Sequence, residues 1–141
     1  MHLSDILFHH GENRKEYYNS VSPPIIQSSN FVFENLADFR KAFGEEMESV
    51  IYTRGNNPTV SILRKKIAKL EKAEDCLVFG SGASANSMSI LIQVHHGSHV
   101  VCVNNAYSWT YNILTQYLPK FGVSHTFVDG TNLEEIEAAI Q

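Results

Sequence analysis

The residues best suited to chemistry lie in the stretch LVFGSGASANSM, residues 77–88, where an apolar run leads through small residues into a predicted helix. Small residues expose backbone N–H groups at the start of a helix, and the helix dipole adds positive potential there. Ser81 and Ser84 add hydroxyl donors. Such a turn suits a single phosphate group, while a tight turn that only packs a helix on a sheet has the same composition. The residue types leave both interpretations open.

The same turn matches the pattern G-x-G-x-x-A through Gly80, Gly82 and Ala85. In dinucleotide-binding folds this pattern lets the backbone approach a pyrophosphate. Those folds also place an acidic residue near the end of the next strand, about 20 residues on. Here the next predicted strand, HVVCV, is followed by Asn104 and Asn105. The missing carboxylate argues against a dinucleotide.

Two further stretches carry groups that could bind an anion or a planar ligand. Tyr52 and Arg54, in YTRGNNP, lie in a predicted loop, and arginine is the natural bidentate partner of a phosphate. Tyr107 follows HVVCV, and ligands bind at the carboxyl ends of strands in open parallel sheets, where an aromatic ring can stack on them. The alternatives are an ordinary exposed pair, and a loop aromatic that packs on Trp109 or Tyr111.

A regular alternation of helices and strands must position these residues. Caps and apolar residues at helical spacing predict helices at about residues 35–44, 58–73, 83–95, 109–121 and 131–140. The predicted strands are the apolar runs CLVF, HVVCV and SHTFV. This order favours an α/β fold with a mostly parallel sheet, flanking helices and right-handed crossovers.

The helical spacing also predicts which side chains are buried. The helix of residues 58–73 has Asn57 as its cap and Pro58 in its first position. The residues expected on its core face are Val60, Leu63, Ile67 and Leu70. The residues expected on one face of the last helix are Leu133, Ile136 and Ile140.

Residues 1 to about 34 show no clear helical period and contain Ser22, Pro23 and Pro24. They predict an extended N-terminal arm, with QSSNFVF as a candidate short strand. We therefore expect residues 1–50 to form the arm and the first helix, and residues 51–141 to form the start of the α/β domain.

Composition excludes several classes of protein. The net charge of −4 and the pI near 5.9 give no electrostatic footprint for nucleic acid or an anionic membrane. No apolar run approaches the roughly 20 residues of a membrane span, and the N-terminus lacks the pattern of a secretory signal.

Cys76 and Cys102 lie in apolar runs, which favours reduced thiols in the cytoplasm, with a disulfide between adjacent strands left open. His95, His96 and His99 lack the further convergent ligands of a zinc site, so we expect no metal.

Longer stretches carry a resemblance to a known family. They are SPPIIQSSNFVFEN, YTRGNNPTVSILRKKIAKLE, and FGSGASANSMSILI with HVVCVNNAYSWTY behind it. The chain resembles the N-terminal part of the pyridoxal-phosphate enzymes of cysteine and methionine metabolism, such as cystathionine γ-synthase, cystathionine β- and γ-lyase and methionine γ-lyase. The resemblance implies part of the large domain of a fold-type-I transferase dependent on pyridoxal 5'-phosphate (PLP).

The resemblance also implies roles for individual residues. The backbone amides of Gly82 and Ala83 bind the cofactor phosphate, with Ser81 beside them. Tyr107 stacks on the pyridine ring and is a candidate catalytic residue that assists proton transfer or departure of the leaving group. A second pair, Tyr52 and Arg54, reaches the phosphate held by a neighbouring subunit of a dimer or tetramer.

The implied activity is the making or breaking of a C–S bond in a sulfur amino acid of the cystathionine, homocysteine or methionine type. The family's Schiff-base lysine lies in a serine-x-threonine-lysine segment, and none of the seven lysines in this sequence has that context. The alternative is therefore a non-catalytic fragment that acts only as a phosphate-binding or self-associating scaffold.

Overall fold

The computed structural model of the protein describes residues 2–46 and 48–140. It divides into two compact units, one up to Val78 and one from Phe79. The boundary that the sequence predicts near residue 50, between the arm with its first helix and the start of the α/β domain, stays a prediction. None of the helices in the described ranges has the length and apolar character needed to cross a membrane.

The first unit is helical. Its elements are α1 (Leu3–Phe8), a 3₁₀ turn (Arg14–Tyr17), α2 (Leu36–Gly44) and α3 (Pro58–Glu71). As predicted, α2 and α3 begin after asparagine caps: the Asn35 side chain accepts from the Asp38 N–H, and the Asn57 side chain accepts from the Thr59 N–H. Gly44 is the last residue of α2, also as predicted.

The N-terminal arm is not extended throughout, because it contains α1, which packs on α3. Ile6 is the buried residue of α1. Lys66 Nζ, on α3, donates to the Leu7 carbonyl at 2.8 Å and to Glu12 Oε1 at 2.6 Å. A six-residue helix with one buried side chain gives no periodic signal, and tertiary contacts stabilise it. Of the candidate strand QSSNFVF, the structure retains only an isolated bridge between Asn30 and Tyr52.

The core face predicted for α3 is only partly buried. Ala68 is buried and Ile67 is half-buried. The residues that remain exposed, contrary to the prediction, are Val60, Leu63 and Leu70. A helix buries an apolar stripe only as far as its partner covers it, and α1 is less than two turns long.

The second unit is an α/β layer structure. Its elements are α4 (Gly82–Leu91), β1 (His99–Val103), α5 (Ser108–Asn112), a π-helical turn (Ile113–Tyr117), a 3₁₀ turn (Leu118–Phe121), β2 (Ser124–Val128) and α6 (Leu133–Ala139). The two strands pair in parallel, from His99 opposite Ser124 to Val103 opposite Val128. The buried core residues are Ile113, Leu114, Leu118 and Val123, packed against Ile90, Leu91, Val94, Val100, Cys102 and Phe127. The predicted parallel sheet with flanking helices is confirmed.

The connection between β1 and β2 was predicted as one helix and contains three helical types. The Thr115 hydroxyl donates to the Tyr111 carbonyl at 2.9 Å, and the next turn is π-helical. Pro119 lacks an N–H group, and the chain there tightens into a 3₁₀ turn that ends at Gly122, where φ is +73°. The predicted face of α6 is wrong in two places, since Leu133 is 78% exposed and Ile140 lies beyond the helix.

The strand predicted at CLVF is wrong. Residues 76–79 belong to no strand, and Leu77 is 63% exposed. An apolar run becomes a strand only where a neighbouring strand offers backbone donors and acceptors, and the one sheet in the described residues is the β1–β2 pair.

Candidate functional site

The turn before α4 leaves two backbone amides open. Ser81 is the N-cap: its Oγ accepts from the Ser84 N–H at 3.1 Å and lies 2.8 Å from Ser84 Oγ. The Ser81 carbonyl accepts from the Ala85 N–H at 3.1 Å. Within the described residues the N–H groups of Gly82 and Ala83 have no acceptor, so they are the free donors of this helix start.

The fold itself does not require the glycines of this turn. Neither Gly80 nor Gly82 lies in the left-handed region, and a Cβ at either position meets no atom of the described chain within 4 Å. Glycine without either constraint is typical of a backbone that a ligand approaches closely. The turn is therefore open and fits a small anionic group.

Tyr107 stands where the sequence placed it, just after β1 and immediately before α5. The residue is 54% exposed, and its ring joins no aromatic pair among the residues described. Tyr111, by contrast, stacks on Phe127 with the ring centroids 5.1 Å apart. The Tyr107 ring face is therefore free for a planar ligand. The helices that begin at the turn and at Tyr107, α4 and α5, pack against each other.

Tyr52 and Arg54 form a prearranged pair in the first unit. The guanidinium carbon of Arg54 lies 5.2 Å from the centroid of the Tyr52 ring, within the range of a cation–π contact. The Tyr52 carbonyl accepts from the N–H groups of Gly55 at 3.0 Å and Asn56 at 3.1 Å, which closes the loop into a tight turn. In the described chain no carboxylate lies within 4 Å of Arg54. Its guanidinium is therefore available to an anion.

The three side chains of the histidine stretch turn to separate partners. His95 Nδ1 lies 2.9 Å from the carbonyl oxygen of His96, and the His96 ring fills the space beside Gly122. His99 Nδ1 lies 2.7 Å from Ser124 Oγ on the neighbouring strand. Across residues 2–46 and 48–140, no three histidine, cysteine or acidic side chains converge on a point that would hold a metal ion.

Cys76 and Cys102 are both free thiols. Burial raises the pKa of the Cys102 thiol, because the packed core disfavours the thiolate. Cys102 thus serves as a small apolar residue of the β1 core rather than as a nucleophile.

The sequence analysis did not assign three polar residues near the Tyr52–Arg54 pair to a site. Thr53, Asn57 and Thr59 bond to the backbone of residues 24–29. The sequence signal was the density of side chains that both donate and accept in TRGNNPT. Their partners lie some 25 to 35 positions away, which local patterns do not reveal.

Comparison with protein families identifies the class. The family described as Cys/Met metabolism PLP-dependent enzyme matches residues 4–141. The chain belongs to this family, which confirms the resemblance seen in the sequence and the cofactor class it implied.

Individual relatives agree with this. Over 132 residues the chain is 36% identical to L-methionine gamma-lyase of Fusobacterium nucleatum, covering 94% of the chain and 33% of the relative. Homocysteine/cysteine synthase of Saccharomyces cerevisiae is 32% identical over 138 residues, 96% of the chain and 31% of the relative. The chain thus spans about a third of the length of these relatives.

Solved structures confirm the fold. The metB structure from Corynebacterium glutamicum superposes with a TM-score of 0.87 at 32% identity, covering 100% of this chain and 35% of that one. An O-acetylhomoserine (thiol)-lyase structure from Campylobacter jejuni, which contains N'-pyridoxyl-lysine-5'-monophosphate, gives a TM-score of 0.87 at 27% identity, with the same coverage.

Proposed function

We propose that the chain is the N-terminal portion of a PLP-dependent transsulfuration enzyme that makes or breaks a C–S bond in a sulfur amino acid. The relatives it matches include enzymes named methionine gamma-lyase, homocysteine/cysteine synthase and cystathionine gamma-synthase. The observation that carries the proposal is the pair of open amides at Gly82 and Ala83, in a turn whose glycines the fold does not require.

In this proposal the start of α4 holds the cofactor phosphate. The Gly82 and Ala83 amides donate to phosphate oxygens, and the helix dipole favours the negative charge. Ser81 Oγ accepts the Ser84 N–H and shares a hydrogen bond with Ser84 Oγ, so one of the two serine hydroxyl hydrogens is left for a further phosphate oxygen. Tyr107 stacks on the cofactor ring and can hold or move a proton at its hydroxyl oxygen. When bound, the cofactor supplies an electron sink, and the protein supplies position and electrostatics.

Tyr52 and Arg54 are assigned to the phosphate held by a second copy of the chain. The unpaired guanidinium, stacked on the Tyr52 ring, supports this assignment because it is free to form bidentate hydrogen bonds. The active unit is then a homo-oligomer, a dimer or a tetramer, in the cytoplasm. Residues 1–50 serve as its arm and first helix, and residues 51–141 begin the cofactor-binding domain.

The second candidate is a phosphate-binding or self-associating scaffold without catalysis. It is favoured by the lysine content, because none of the seven lysines lies in a serine-x-threonine-lysine context. The two candidates share the phosphate turn and differ in whether the whole protein that contains this chain engages the cofactor covalently through a lysine.

Binding of PLP compared with pyridoxal, which lacks the phosphate, tests the shared claim. We expect the chain to prefer PLP at least about tenfold, because charged hydrogen bonds are each worth about 1.5–3 kcal/mol. Equal affinity would refute the phosphate turn. Borohydride reduction of the whole protein that contains this chain, followed by mass spectrometry, then separates the candidates: specific labelling of one lysine excludes the scaffold, and a phosphate preference without labelling supports it.

A further inference from the structure

Asn57 is a buried polar residue in the first unit, only 4% exposed, and both its side-chain oxygen and its side-chain nitrogen are hydrogen-bonded. Its Oδ1 accepts from the Thr59 N–H at 2.9 Å, which is the ordinary task of a helix cap. Its Nδ2 donates to the Ile26 carbonyl at 3.0 Å and to Thr53 Oγ1 at 2.9 Å. Capping α3 does not require these two donated bonds, so they have another role.

The two threonines extend the same network. Thr59 Oγ1 donates to the Pro24 carbonyl at 3.0 Å and accepts from the Ile26 N–H at 3.0 Å. Thr53 donates its N–H to the Ser29 carbonyl at 2.9 Å and its hydroxyl to the Ser28 carbonyl at 2.5 Å. We call Thr53, Asn57 and Thr59 the clasp. Through the clasp, both ends of the segment of residues 24–29 are hydrogen-bonded to residues 53–59.

The clasp determines where the Tyr52–Arg54 pair stands. Thr53 lies between the two residues and is fixed through both its N–H and its hydroxyl. The backbone of its neighbours is thereby held, which leaves mainly side-chain torsions free. Asn57 is the buried member of this network, and its two donated bonds are partly buried. Hydrogen bonds shielded in this way make a local structure rigid.

We infer that Asn57 is a positioning residue, which holds through the clasp the loop that presents Tyr52 and Arg54 to phosphate. The inference deepens the proposed function and rests on it for the role of Arg54. Asparagine suits the position because one amide group supplies both the acceptor that caps α3 and the donors that reach Ile26 and Thr53. Aspartate would cap equally well and lacks the donors.

Asn57→Asp therefore separates the two roles. The matched control is Asn35→Asp at the cap of α2, an exposed asparagine whose Nδ2 reaches only Asp38 of its own helix. By hydrogen exchange, we expect the amides of Ile26 and Thr53 to exchange roughly tenfold faster in Asn57→Asp than in the control. The amide of Ser61, within α3, should keep its protection. Unchanged exchange at Ile26 and Thr53 would overturn the clasp.

Thr59→Val provides a second route, in case Asn57→Asp unfolds. It is nearly isosteric, leaves the cap on the Thr59 N–H in place, and removes the bonds to Pro24 and Ile26. We expect faster exchange at Ile26 with the α3 amides unchanged. Global loss of protection in Thr59→Val, including Ser61, would overturn a local positioning role.

Coupling to Arg54 is tested by the preference for PLP over pyridoxal. We expect Asn57→Asp to lower this preference about as much as Arg54→Ala, and the double variant to be no worse than Arg54→Ala alone. Additive losses, or an equal fall in pyridoxal affinity, contradict positioning. If Arg54→Ala has no effect, the proposed role of Arg54 fails, and the exchange data alone then decide for or against the clasp.

Discussion

Lys66 Nζ lies 2.6 Å from Oε1 of Glu12, a partner 54 positions away along the chain. The Glu12 side chain is nearly buried, and it also accepts from Arg14 Nε at 3.3 Å. This ion pair joins the segment after α1 to α3. It fixes this segment against α3, where the sequence alone predicts an extended arm.

Lys66→Met should lower the free energy of unfolding by about 1–2 kcal/mol, because it leaves the buried Glu12 carboxylate without its main donor. Denaturant unfolding measures the change. Lys69→Met, an exposed position on the same helix, is the control and should change the free energy by less than about 0.5 kcal/mol. Equal effects of the two substitutions would show that the Glu12 contact contributes nothing.

Acid should release this contact. The hydrogen bond from Lys66 lowers the pKa of Glu12 below its usual value. A carboxyl group with a lowered folded-state pKa stabilises the fold above its unfolded pKa, near 4.3, and this contribution is lost as the pH falls through the folded pKa. We expect unfolding midpoints measured from about pH 6 to pH 3 to fall less steeply for Glu12→Gln than for the unmodified chain. Parallel curves would refute the assignment.

Gly82→Pro removes one open amide and should leave the helix intact. Proline is favoured at the first helical position, and Ser81 already has the extended backbone that proline requires of the residue before it. We expect the preference for PLP over pyridoxal to fall about tenfold. Gly82→Ala keeps the N–H and adds a Cβ that meets no atom of the described chain, so it should lower the preference less than Gly82→Pro does. A similar fall in both variants would point to bulk rather than to the amide.

Two substitutions test the roles of the Tyr107 ring and the Tyr107 hydroxyl separately. Tyr107→Leu should weaken PLP binding about two- to tenfold through loss of ring stacking, while Tyr107→Phe should keep the affinity. Because the ring is half exposed and joins no aromatic pair in the described residues, neither change should alter the free energy of unfolding by more than about 0.5 kcal/mol. Titration by absorbance and denaturant unfolding give the two quantities. A large loss of stability would assign Tyr107 to packing.

Leu114, only 1% exposed, forms the centre of the second unit's core. Leu114→Ala should cost about 2–5 kcal/mol of unfolding free energy, through lost burial and the cavity left behind. Leu133→Ala removes the same atoms from a side chain that is 78% exposed and should cost less than about 0.5 kcal/mol. Denaturant midpoints compare the pair. Similar values would mean that the α5-to-β2 connection does not pack as described.

The elements predicted correctly are those whose signals are local. Asn35 and Asn57 mark helix starts through caps that bond two or three residues ahead, and HVVCV and SHTFV are apolar runs that pair with each other. In the candidate site, the sequence predicts the turn at Ser81 for the same reason. It does not predict the clasp, because an asparagine that reaches Ile26 and one that only caps a helix look alike in sequence.

The segment of residues 76–79 has a practical consequence for the isolated chain. Leu77, Val78 and Phe79 are exposed, and their backbone N–H groups donate to nothing in the described residues. Backbone with free donors beside apolar side chains is a template onto which a foreign strand can add. At high protein concentration we therefore expect the segments of different copies to associate. Turbidity should then rise with concentration, and a charged residue in place of Leu77 should prevent that rise.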